Sequence, residues 1–208
     1  IASNISSCVG TSLAPLTAIG TSGNTLMWYT TATGGLGSTT APTPSATTPG
    51  TTTYYVSQKN SSNCESTRTP ITVAIYATPP SPTVTNISYC QNATASALTA
   101  TASSGNTLNW YFSNVGGTSN SSIIPPTSTT GSTNYYVAQV NSFGCESVRA
   151  SIIVVIGGLP AAPIVNPITY CQGATALPLT AAALTNHTLN WYGTNATGGV
   201  ASSTAPTP

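Results

Sequence analysis

Apolar and polar positions along the chain fall into short runs closed by Gly, Pro, Ser and Asn, with no recurrence every three or four residues. Thr133 to Gln139 and Ala150 to Ile156 are the plainest runs, rich in Thr, Val, Ile and Tyr. β-branched and aromatic residues fit a pleated surface, and successive side chains on a strand alternate between faces, so these runs predict strands with one buried face. Val84 to Tyr89, Ala97 to Ala102 and Thr107 to Phe112 read the same way. One or two weaker strands among residues 113 to 132 bring the unit to about seven, the number of a β-sandwich. No segment carries helical periodicity bounded by caps. The longest apolar stretch, Ile152 to Ile156, is strand-sized and far below the ~18 residues of a membrane-spanning helix.

The pattern repeats. Ser22-Gly23-Asn24-Thr25-Leu26-Met27-Trp28-Tyr29 returns 82 residues later around Leu108-Asn109-Trp110-Tyr111, and after a further 81 as Leu189-Asn190-Trp191-Tyr192. Cys8, Cys90 and Cys171 keep the same spacing, as do Cys64 and Cys145. A fixed period of this length marks a tandem array. It predicts a repeat over residues 1–77 with a truncated N-terminal edge, a complete repeat over 78–158, and the front half of a third over 159–208, within a parent array extending further each way. Thr78-Pro79-Pro80-Ser81-Pro82 and the stretch from Gly157 to Pro163 lie between units. Such proline-rich connectors favour an extended, semi-rigid path, predicting a jointed rod.

Within complete repeats the cysteines come in pairs, Cys8 with Cys64 and Cys90 with Cys145. One disulfide inside each repeat of about 81 residues is the expectation, with Cys171 bonded to a partner beyond the chain end. In a small domain with a limited core, such a cross-link contributes roughly 4 kcal/mol on the chain-entropy account, and it implies an oxidising compartment. Free buried thiols and a metal site are the alternatives; zinc would want four ligands, and the chain has one histidine. The second cysteine follows Asn141-Ser142-Phe143-Gly144, a hairpin turn between the last two strands, so the bridge is expected to staple one end of the sandwich. Trp28, Trp110 and Trp191 recur at one point of every unit, which fits a core plug better than a sugar-stacking platform. Strand alternation places each tryptophan and the tyrosine after it on opposite faces.

Only Lys59, Arg68, Arg149, Glu65 and Glu146 are charged, aspartate is absent, and the net charge is +1. A surface wetted by hydroxyls and amides offers no clustered Lys and Arg for nucleic acid or anionic lipid. The same scarcity removes enzyme chemistry: Glu65 and Glu146 are equivalent positions in different repeats, and His187 is replaced by Asn24 and Asn106 in the others. Calcium sites want several carboxylates. No catalytic residue, metal or cofactor is assigned. The recurring Glu-Ser-x-Arg, at Glu65/Arg68 and Glu146/Arg149, reads as a local ion pair ordering a turn.

Cys-Gln, an apolar strand, Leu-Asn-Trp-Tyr, Gly-Gly, a Thr/Pro stretch, Tyr-Tyr-Val-x-Gln, then Cys-Glu-Ser-x-Arg and a Val/Ile strand resembles the Ig-like repeats of large secreted surface adhesins of Bacteroidetes. The resemblance covers nearly the whole chain. It implies tandem Ig-like Greek-key β-sandwiches, export by the type IX route, an extracellular cell-surface location, and a structural or adhesive role of the gliding-motility adhesin kind. Expected partners are other repeats of the same polypeptide, with surface glycans or an anchoring or motility machinery as further candidates. The alternative is a carbohydrate-binding or spacer module of a multidomain secreted exoenzyme.

Overall fold

The computed structural model describes residues 3–208. Its elements are all strands: β1 (Ile5–Cys8), β2 (Thr25–Tyr29), β3 (Gly50–Lys59) and β4 (Thr69–Tyr76) in the first repeat; β5 (Thr83–Val84), β6 (Ile87–Cys90), β7 (Ala100–Thr101), β8 (Thr107–Tyr111), β9 (Gly131–Val140) and β10 (Ala150–Gly157) in the second; β11 (Ile164–Val165) and β12 (Ala181–Ala182) beyond. The chain forms two compact units, Ile1–Gly157 and Gly158–Pro208, and the first holds two repeats.

Each of those repeats is an Ig-like sandwich built on a four-stranded sheet, ordered β1-β4-β3-β2 in one and β6-β10-β9-β8 in the other. The first strand runs parallel to the last, Cys8 opposite Tyr76 and Cys90 opposite Gly157. The other pairings are antiparallel. In the second repeat β5 and β7 pair on their own. The first strand expected there is therefore two short ones, β5 and β6. The weak strands sought between residues 113 and 132 reduce to a bridge from Trp110 to Asn120. Gly116-Gly117 and Pro125-Pro126 in this stretch leave too few free donors and too little backbone restriction for a ladder.

Alternation sets the core. In β10 every second residue, Ile152, Val154 and Ile156, is buried, and in β4 Ile71, Val73 and Ile75 are. These meet Trp110, Leu98 and Ile123 in one repeat and Trp28, Leu16 and Val56 in the other, giving each its own apolar cluster. Burying such side chains contributes about 1.5–3 kcal/mol apiece. Trp28 and Trp110 are buried, which closes them to sugars, whereas Trp191 is half-buried. The tyrosines on the opposite face are buried as well: Tyr29 is 6 % exposed and Tyr111 4 %. Both faces of β2 and β8 are therefore covered.

Candidate functional site: the junction between repeats

The disulfide is not inside a repeat. Cys8 is bonded to Cys145, 137 positions away, with Cα atoms 5.6 Å apart; Cys64, Cys90 and Cys171 are free and exposed. The expected pairs Cys8–Cys64 and Cys90–Cys145 are therefore corrected, and the parallel first strand supplies the reason. Pairing Cys8 with Tyr76 puts it at the end of β4, where the connector departs. Cys64 lies in the turn from β3 back into β4, beside the start of β4. The eight residues of β4 separate the two poles by about 27 Å at about 3.4 Å per residue, far past the ~7 Å at which Cα atoms can be bridged. Cys90 and Cys145 are held apart by β10 in the same way. The pole carrying Cys8 meets the opposite pole of the following repeat instead.

The turn that presents Cys145 is built by Asn141. Its Oδ1 accepts hydrogen bonds from the backbone N–H groups of Phe143 (3.1 Å) and Cys145 (3.0 Å), an arrangement in which a short amide side chain replaces a backbone acceptor. Gly144 takes the left-handed φ of +81° that closes it. The Asn141 amide then donates across the junction to the carbonyl of Ala77 at 2.9 Å. Phe143, at the tip, stacks on Tyr76 of the first repeat with ring centroids 3.9 Å apart and planes 7° from parallel. Cys145 is wholly buried.

The connector is stitched to the second repeat. Gln139, 1 % exposed, donates from Nε2 to the carbonyl of Pro80, while its Oε1 accepts from the backbone of Ser103 (2.7 Å) and from Asn106 Nδ2 (3.1 Å). Ser81 Oγ donates to the Val148 carbonyl at 2.8 Å, and Pro82 is buried. A buried amide with both ends matched fixes what it touches, because an unmatched one would carry a desolvation penalty. The sequence places Gln139 in the repeated Tyr-Tyr-Val-x-Gln and Asn141 in a hairpin turn, but gives neither a role across the junction. The signal was there: Gln58 and Asn60 hold the same places in the first repeat.

Among the described residues Glu146 and Arg149 come within ion-pair distance and Glu65 and Arg68 do not, and in both repeats the Glu-Ser-x-Arg motif does more than pair charges. Arg149 lies over the Tyr111 ring, 3.2 Å from its centroid, and donates to the carbonyls of Ser113 (2.7 Å) and Gly116 (2.8 Å). Tyr111 donates to Glu146 at 2.8 Å, and Glu146 faces Arg149 at 3.8 Å. In the first repeat Arg68 covers Tyr29, which donates to Glu65, and Arg68 reaches the carbonyl of Thr31. The cluster buckles the loop after β2 or β8 onto the hairpin, and the arginine is the lid that buries the outward tyrosine. Burial, then the bond to Glu146, raises the Tyr111 pKa above its usual value of 10.0. Bonds from Ser57 and then Tyr29, with Arg68 and Lys59 nearby, lower that of Glu65. Neither carboxylate meets a second one, and His187 is exposed with Nδ1 2.9 Å from the Thr185 carbonyl in its own turn. Among the described residues no three His, Cys, Asp or Glu side chains gather as a metal site, and no helix is long and apolar enough to cross a membrane.

The profile of the family described as "Ig-like domain CHU_C associated" matches this chain twice, over residues 1–76 and 79–157. No curated protein sequence matches it. Among solved structures, the fibronectin(III)-like modules of Clostridium thermocellum CbhA are 16 % identical with a TM-score of 0.45, over 76 % of this chain and 91 % of theirs. SGBP-B of the Bacteroides ovatus mixed-linkage glucan utilization locus, in complex with a mixed-linkage heptasaccharide, is 10 % identical with a TM-score of 0.26, over 74 % of this chain and 43 % of its own. Drosophila N-cadherin EC1-4 is 9 % identical with a TM-score of 0.25, over 94 % and 61 %.

Proposed function

Because this chain belongs to the CHU_C-associated Ig-like domain family, we propose that it serves as a run of braced structural segments in the stalk of a long extracellular surface protein, an adhesin or filament of the gliding-motility and type IX kind. The observation that carries this reading is the junction. A cross-link, a stacked ring pair and a stitched connector hold consecutive repeats together, which is what a load-bearing stalk needs and what a lone binding domain does not. The cross-link fits an oxidising compartment. The near absence of charge leaves a hydroxyl-rich surface suited to spacing rather than to steering a charged ligand.

Two measurements test it. Protease shaving of intact cells should release these repeats, placing them outside. Small-angle scattering of array segments should give an extended particle whose length rises in proportion to repeat number and which gains flexibility on reduction. Repeats protected from the protease, or a compact particle of unchanged length, would overturn the reading. Neighbouring sequence in the parent protein discriminates the spacer alternative: a hydrolase domain alongside favours it, and many further repeats favour the adhesin.

A further inference from the structure

We propose that the cross-link between the first two repeats is one rung of a continuous series: Cys64 bonds the first-position cysteine of a preceding repeat, and Cys90 bonds the second-position cysteine of a following complete one. This rests on the stalk reading and adds a rule of assembly to it. The partner is another repeat of the same polypeptide.

The internal comparison carries it. Cys90 occupies the place in its repeat that Cys8 occupies in the first, at the end of the parallel strand; Gln91 N–H meets the Gly157 carbonyl as Val9 N–H meets that of Tyr76. Cys64 sits in a copy of the Cys145 turn: Asn60 Oδ1 accepts from the backbone of Ser62 (3.0 Å) and Cys64 (2.9 Å), and Asn63 takes the left-handed φ of +66° that Gly144 takes in the other. The equivalent residues are already bonded to each other one junction along. A second observation stands apart from the sulfur atoms. Gln58 accepts from Thr21 and Asn24 as Gln139 does from Ser103 and Asn106, but among the described residues no carbonyl meets its Nε2. A groove of about 230 Å³, lined by Gly20, Leu26, Gln58 and Ser66 among others, lies there. In the second repeat, Pro80 and Ser81 of the connector are bonded at the corresponding place. The first repeat thus presents a shaped acceptor for a proline-rich connector beside the cysteine that would lock it.

Bond formation needs an oxidant, here a protein or small-molecule disulfide. The thiolate of one cysteine attacks it to give a mixed disulfide. The second thiolate then displaces the donor, which leaves as two thiols carrying the two electrons and two protons removed.

The test is a non-reduced tryptic digest of the array protein recovered from the cell surface, its free thiols first alkylated. Cleavage after Lys59, Arg68 and Arg149 isolates Cys64 in residues 60–68 and keeps Cys90 with Cys145 in 69–149. The expected result is a high-mass ladder that collapses on reduction, with 60–68 attached to a peptide of the preceding repeat and 69–149 attached on both sides. Cys64→Ser should release only the first attachment and leave 69–149 joined to the peptide that carries Cys8 and ends at Lys59. Alkylated Cys64 or Cys90, a bond from 60–68 to that same peptide, or intact protein running above monomer mass without reductant would overturn the series. Alkylated Cys64 or Cys90 leaves the Cys8–Cys145 junction and the surface stalk standing, whereas a bond from 60–68 to the peptide carrying Cys8, or repeats absent from the surface fraction, would remove the stalk reading itself.

Discussion

Asn60 to Cys64 and Asn141 to Cys145 form the same turn with the same two side-chain hydrogen bonds, yet Cys64 is exposed and Cys145 is wholly buried. Local sequence accounts for the likeness. The neighbouring repeat accounts for the difference, since only the second turn has Tyr76, Ala77 and Cys8 against it. The same contrast runs through Gln58 and Gln139, one half-buried and one 1 % exposed. A tandem repeat therefore completes its structure at its ends through its neighbours, as nearest-neighbour coupling in repeat arrays requires.

Mutations at matched positions sharpen that contrast. Cys145→Ala opens a closure spanning 137 positions and should destabilise the pair of repeats by about 4–5 kcal/mol on the chain-entropy account, whereas Cys64→Ala in this chain should change stability by under about 0.5 kcal/mol. Denaturant unfolding of the oxidised protein measures both, and equal effects would break the comparison. Trp110→Ala should cost about 3–5 kcal/mol and melt the second repeat first, and Trp28→Ala the first repeat, because each plugs its own cluster; near-ultraviolet dichroism of the remaining tryptophans follows which repeat is lost. Gln139→Ala strips the connector carbonyl and two donors of their partner and should cost about 1–3 kcal/mol, more than Gln58→Ala. Phe143→Ser, which copies Ser62 of the first repeat into the second turn, removes one stacked pair worth about 0.5–1.5 kcal/mol beyond its buried area.

The smallest expected effect is on pH dependence, and its sign differs between repeats. Glu65 is held below its usual value by the bonds from Ser57 and Tyr29, so its contribution is present above the ordinary carboxylate value and fades as pH falls through the lowered one. Tyr111 is raised by burial and by Glu146, so its contribution is intact below pH 10.0 and fades as pH rises through the raised value. Melting curves across pH should show the first repeat weakening toward acid and the second toward alkali, and Tyr111→Phe should shrink the alkaline limb to the share left by Tyr135, which burial also raises.

The sandwich, its period and the inward Trp28 and Trp110 follow from local pattern: Ile71, Val73 and Ile75 alternate with Thr72 and Ala74 in β4, whereas the unbroken apolar run of β10 marks a strand but not which face is buried. The cross-link partner does not. Spacing between Cys8 and Cys64 gives a loop length but no polarity, and polarity depends on β1 lying parallel to β4, a long-range pairing with no local mark. The outward tyrosines were likewise opaque, because Arg68 and Arg149 reach their rings from 38 or 39 positions away. The expectation of one disulfide inside each repeat gives way to repeats stapled to one another.

The most direct test is a peptide map of this chain after oxidation, alkylation and tryptic cleavage without reductant. The structure predicts that residues 1–59, carrying Cys8, emerge joined to residues 69–149, carrying Cys145, with Cys64 alkylated in 60–68. Finding 1–59 joined to 60–68 would contradict it, and with it the claim that the junction, not the repeat, is the covalent unit.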